Sequence, residues 1–70
     1  MASEIDIIVT YVVRLKNNGV KSVLKADIIY YMKSIGISEK KCIMGLNDAI
    51  RYKKLIELTN GKVSINFSRR

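Results

Sequence analysis

The segment Glu57-Leu-Thr-Asn-Gly-Lys-Val-Ser-Ile-Asn-Phe67 constrains the fold more than any other part of the chain. Asn60-Gly61 readily supplies positive φ at both central residues of a type I′ turn, and apolar residues alternate with polar ones on either side. A two-residue loop predicts Thr59 opposite Lys62, Leu58 opposite Val63, Glu57 opposite Ser64 and Ile56 opposite Ile65. That register gathers Ile56, Leu58, Val63 and Ile65 on one face. A two-stranded ribbon is barely stable alone, so this face is expected to rest on the residues that precede it.

Those residues read as three helices. Ser3 followed by Asp6 forms a capping-box pattern, and Ile5, Ile8, Val9, Val12 and Leu15 recur at helical spacing until Asn17-Asn18-Gly19 ends the run. The polar stripe Asp6, Thr10, Arg14 and Asn17 leaves Ile7, Tyr11 and Val13 as apolar positions beyond the core-facing set. Neighbouring helices and the C-terminal tail could cover Ile7 and Tyr11, or a second copy could; the dimer contact is the expectation carried forward. Val20-Lys21-Ser22 suits a brief edge strand or extended link, with Ser22 capping a helix over 23–34 whose apolar stripe is Leu24, Ile28, Tyr31, Met32 and Ile35. Of the neighbours Tyr30 and Tyr31, the second is expected inside and the first exposed.

Gly36-Ile37-Ser38 then makes a three-residue joint, with a glycine able to take positive φ and a serine placed to cap the next helix. That third helix carries Ile43, Leu46 and Ile50 as its predicted core stripe and fades near Tyr52. Gly45 in mid-helix costs about 1 kcal/mol relative to alanine, so it marks either a close packing point or neutral drift. Cys42, beside the stripe, reads as a small buried hydrophobe.

At 70 residues the chain is one domain with a modest core, and a second copy is the expected source of further burial. Its net charge is +7, and residues 36–70 carry eight Lys/Arg against three Asp/Glu, so the later elements supply most of the basic surface. With a single cysteine and no histidine, neither an internal disulfide nor a Cys/His zinc site is available. No nucleophile stands beside a base, and there is no glycine-rich phosphate loop or tight carboxylate cluster. No enzymatic activity, cofactor, metal or small-molecule substrate is therefore expected. Glu4 and Asp6 stand where a secretory signal would be basic, and Ile7 to Val13 is too short to span a bilayer. Intracellular residence, in the cytoplasm or associated with the nucleoid, and no membrane contact are the expectations.

The order helix, short extended segment, helix, three-residue turn, helix, hairpin resembles the winged helix-turn-helix superfamily of DNA-binding domains. The resemblance covers essentially the whole chain and rests on Gly36-Ile37-Ser38, the stripe Ile43, Leu46, Ile50, and the hairpin from Leu55 to Phe67 closing at Asn60-Gly61. No residue-level fingerprint selects a subfamily; the Lys- and Ile-rich composition, free of glutamine and proline, resembles that of small archaeal or archaeal-virus regulators. The resemblance implies an α+β fold of three helices followed by a C-terminal two-stranded wing. It also implies a transcriptional regulator that binds double-stranded DNA, with the third helix in the major groove and the wing on backbone nearby.

Opposite the predicted stripe, helical geometry sets Lys40, Lys41, Met44, Asp48, Arg51 and Tyr52 on the outer face of the third helix. Lys40 and Lys41 are the leading contacts, Ser38 and the first backbone N–H groups suit a phosphate, and Arg51 suits phosphate or guanine. Glu39 works against a phosphate there. Asn47 falls near the predicted core stripe, which disfavours it as a reader of adenine. In the wing, Thr59, Asn60 and Lys62 are the polar donors for phosphate oxygens; Lys53 and Lys54 could extend the basic surface, and Arg69 and Arg70 could form a basic arm. The competing reading is a winged-helix interaction module whose basic face serves acidic proteins in a replication or transcription assembly.

Overall fold

A computed structural model describes residues 3–65, and Phe67, Arg69 and Arg70, on which the end of the ribbon and the basic arm were expected, lie outside them. The described chain is α+β, with helices α1 (Glu4–Asn17), α2 (Lys25–Ser34) and α3 (Glu39–Arg51) and strands β1 (Val23–Leu24), β2 (Leu55–Glu57) and β3 (Lys62–Ile65). A single 3-10 turn, Thr59–Gly61, joins β2 to β3. The expected two-stranded ribbon is in fact a three-stranded antiparallel sheet in the order β1-β3-β2.

Local chemistry accounts for the helix ends. Ser3 and Ser38 cap α1 and α3, their hydroxyl oxygens accepting from the N–H groups of Asp6 (3.2 Å) and Lys41 (3.4 Å). All three helices close with the same paired carbonyl bonds. Val20 N–H donates to the Leu15 carbonyl (2.9 Å), Ile37 to Met32 (3.1 Å) and Lys54 to Ala49 (2.9 Å). The residue that must turn left-handed is Gly19 (φ 95°) after α1 and Gly36 (φ 98°) after α2, but Lys53 (φ 63°) after α3.

The start of α2 departs from expectation. Ser22 does not cap it; Leu24 occupies the cap position in extended conformation, without a side-chain bond. Val23 and Leu24, expected to be helical, instead pair with Val63 and Lys62 of β3 as strand β1. Ladder bonds to a strand that already needs a partner outweigh two more residues of helix.

The register of β2 against β3 is one residue away from the expected one. Leu55 faces Ile65, Ile56 faces Ser64 and Glu57 faces Val63, and Leu58 N–H donates to the Lys62 carbonyl at 2.8 Å. Asn60 (φ 64°) and Gly61 (φ 72°) do take positive φ, but Thr59 joins them in the turn, making the loop one residue longer. The cause lies upstream. The chain leaves α3 through Lys53 and Lys54 straight into β2, and that exit drives Leu55 into the core at 2% exposure. With Leu55 inward, the pleat sends Ile56 (43% exposed) and Leu58 (41%) to the outer side. Val23, Leu55, Val63 and Ile65 thus form the sheet's inner face, packed with Ile8, Val12, Ile28, Met32, Cys42, Leu46 and Ala49.

The buried side of α3 is Cys42, Gly45, Leu46 and Ala49, whereas Ile43 is 42% exposed and Ile50 half-buried. The expected stripe Ile43, Leu46, Ile50 is therefore rotated. Gly45 explains the rotation, since a Cβ there would stand 2.7 Å from Glu4 Cβ and 3.4 Å from Ile8 Cδ1. The small residues form the seam on which α1 and α3 approach, and branched aliphatics are displaced from it. In α2, Ile28 and Met32 are buried, but Leu24 and Ile35 of the expected stripe are exposed. Tyr31 is half-buried and stacks on Tyr11 with ring centroids 4.2 Å apart, while Tyr30 is exposed, as expected of the pair.

Candidate nucleic-acid interface

With Cys42, Gly45, Leu46 and Ala49 inward, a rotation of about 100° per residue puts Lys40, Met44, Asn47 and Arg51 along the centre of the outward face of α3. All four are exposed, as is Ile43 on one flank and Lys41 on the other. The structure thus groups Lys40, Met44 and Arg51 as the sequence suggested and sets Lys41 to the side. Tyr52 is exposed at the helix end, and Asp48 is half-buried beside Lys41's flank. Asn47, expected near the core, belongs to the exposed group; the signal that would have found it is the small-residue seam, which fixes the helix's rotation.

Charge on this surface is set by which carboxylates are already engaged. Glu39, the acid in the first turn of α3, accepts from Lys33 Nζ at 3.2 Å. Glu57 on β2 is paired with Lys25 at the start of α2. Both pairs are solvent-exposed and add little stability, but each offsets a negative charge close to the basic groups. Among the described residues Lys40, Lys41, Arg51 and Lys62 have no ion-pair partner. Asp48 likewise has none, so its negative charge stands unmasked on the flank of α3 that also carries Lys41. The Ser38 hydroxyl, exposed at the N-terminus of α3, already accepts from Lys41 N–H, which leaves its own O–H free to donate.

The second group is the hairpin turn, where Thr59, Asn60 and Lys62 are all exposed. Register fixes how Lys62 sits: Leu24 and Leu58 are its cross-strand neighbours on either side, so all three share the outer face of the sheet. Lys62 thus rises from a row of leucines at the base of the turn.

Between α1 and α2 lies a cleft of about 270 Å³ lined by Asp6, Ile7, Thr10, Tyr31 and Ile35. Ile7 and Tyr11 are half-buried and packed against the core, with Tyr11 committed to Tyr31. Ile35, exposed at the end of α2, is the least covered apolar residue of the cleft. On the inner side of α3, Cys42 is fully buried with its Sγ 3.6 Å from the Ile37 carbonyl, and burial pushes its thiol pKa up against a smaller opposing pull from Lys33. That is the environment of a packed hydrophobe rather than a reactive thiolate.

Among the described residues no helix is long and apolar enough to cross a membrane. Comparison with protein-family models, with curated proteins and with solved structures finds no match to this chain.

Proposed function

We propose that the chain is a winged-helix protein that binds double-stranded DNA as a homodimer and acts as a transcriptional regulator. In this reading α3 enters the major groove and the turn 59–61 with Lys62 rests on phosphate. The observation that carries it is the outward side of α3, where Lys40, Lys41 and Arg51 stand exposed with no ion-pair partner among the described residues while Lys33 and Lys25 occupy Glu39 and Glu57. The net charge of +7 supports a polyanionic partner. In this reading the second copy meets the side of α1 that carries the half-buried Ile7 and Tyr11, next to the cleft where Ile35 is exposed.

Titration of labelled duplex at several salt concentrations tests the first part. Log affinity should fall with log salt at about −0.9 per phosphate neutralised, so roughly six contacts give a slope near −5. A flat response, or no binding at low salt, would sink it. Light scattering at micromolar concentration should give twice the 8.0 kDa chain mass; a monomer would return Ile7 and Tyr11 wholly to packing within one chain. A second reading, a winged-helix interaction module in a replication or transcription assembly, draws on the exposed Leu24, Ile56 and Leu58 of the outer sheet face. It predicts no duplex binding even at low salt.

A further inference from the structure

The outward face of α3 is not uniformly basic, and the order of its residues along the helix axis is specific. Lys40 lies near one end and Arg51 at the other, about 16 Å apart at 1.5 Å per residue. Between them stand Ile43, Met44 and Asn47, all exposed and all uncharged. The Asn47 side chain makes no hydrogen bond among the described residues, and neither Ile43 nor Met44 is one of the buried core residues. Ile43 and Met44 leave about half of their apolar surface in water, beside an amide that is free to bond outward.

A duplex supplies what such a patch lacks. The major groove curves away from a straight helix, so one lying in it meets base edges over its middle, at Met44 and Asn47, while Lys40 and Arg51, about 16 Å apart at its two ends, come nearer the backbone phosphates. An asparagine amide presents one donor and one acceptor, the complement of adenine N7 and N6–H2, and the thymine methyl is the apolar feature of the groove. Resting on the DNA-binding reading above, we infer that Asn47 reads an adenine and that Met44 and Ile43 pack on thymine methyl groups, so the sequence preference of this chain is for A·T pairs at the centre of the α3 footprint. Lys40 and Arg51 then fix position and contribute no base preference.

The test begins with selection of the full chain's preferred duplex from a random library, followed by affinity measurements on that duplex and on two analogues. Replacing the read adenine by 7-deazaadenine removes the N7 acceptor and should weaken binding about ten-fold or more, the usual worth of a bidentate base contact. Asn47→Ala should lose affinity by a similar factor, become indifferent to the analogue, and keep the wild-type salt slope because no phosphate contact is removed. Replacing thymine by deoxyuridine should weaken the wild type and leave Ile43→Ala/Met44→Ala unaffected. Duplex binding without A·T preference, or an Asn47→Ala variant that still discriminates the analogue, overturns this inference and leaves the DNA-binding reading standing. Absence of binding to any duplex at low salt overturns both.

Discussion

Replacing Gly45 by alanine pits two effects of known sign against each other at one atom. In an unconstrained helix the substitution stabilises by about 1 kcal/mol, because glycine loses more backbone entropy on ordering. Here the new Cβ would stand 2.7 Å from Glu4 Cβ, about 0.7 Å inside the 3.4 Å at which ordinary contact begins, and at 3.4 Å from the buried Ile8 Cδ1. Glu4 Cβ is fixed to the backbone of α1 and cannot swing aside, so the first turn of α1 must move. Overpacking of this kind costs about 1–3 kcal/mol, and with a backbone-attached atom as the obstacle the upper part of that range applies. The net expectation is a loss of about 1–2 kcal/mol. For a chain this small, with a urea m-value of about 1 kcal/mol/M, the midpoint should fall by about 1–2 M at unchanged m. Glu4→Gly removes the opposing Cβ, so the double variant should be more stable than the sum of the single changes predicts, by roughly the overpacking cost. A Gly45→Ala midpoint equal to or above the wild type, or strict additivity with Glu4→Gly, would refute the close seam and with it the rotation of α3 on which the exposed face depends.

Other substitutions probe the site and the helix ends. Lys40→Glu with Lys41→Glu exchanges two cations for two anions at the start of α3 and should abolish duplex binding at physiological salt with an unchanged far-UV circular dichroism spectrum; retained affinity moves the interface elsewhere. Lys53 holds a left-handed conformation (φ 63°) that glycine adopts without cost, so Lys53→Gly should raise stability by about 1 kcal/mol, and a loss would mean that its side-chain contacts outweigh the strain. The Cys42 thiol is raised by burial, so the fold favours its protonated form. The stability tied to it is complete below the unfolded thiol's pKa and lost as pH rises through the higher folded value. The urea midpoint of the wild type should therefore fall more steeply above about pH 8.5 than that of Cys42→Ala, and parallel curves would show the thiol to be accessible in the native state.

Features decided within a few residues were legible in the sequence. The caps Ser3 and Ser38, the left-handed Gly36 and the positive φ of Asn60 and Gly61 all follow from neighbouring atoms. Features decided by contact between distant segments were not. The rotation of α3 depends on how closely α1 can approach Gly45, and a periodicity read from large aliphatics gives glycine, alanine and cysteine too little weight. The phase of β2 depends on where α3 releases the chain, and the inward drive on Leu55 outweighs the loop length that Asn60-Gly61 prefers. Strand β1 is two residues long, too short for any alternation to be seen, and exists because β3 presents it with an edge.

Both displacements act on the candidate surface in the same direction. Rotating α3 brings Ile43 and Asn47 outward, and slipping the hairpin brings Ile56 and Leu58 outward, with Lys62 set between Leu24 and Leu58. The stem of Lys62 can then lie along leucine side chains while its ammonium stays in water, which holds the charge at the turn rather than leaving it on a free arm. A surface of lysines alone would derive nearly all its affinity for a duplex from counterion release, and that contribution vanishes on extrapolation to 1 M salt. The arrangement found here adds an amide and apolar groups between the cations. If the proposed DNA binding holds, the affinity for the preferred duplex should therefore extrapolate to a measurable non-ionic remainder at 1 M salt, reduced in Asn47→Ala and in Ile43→Ala/Met44→Ala but not in Lys62→Ala. A remainder of zero for the wild type would mean that the uncharged centre of α3 never meets the bases.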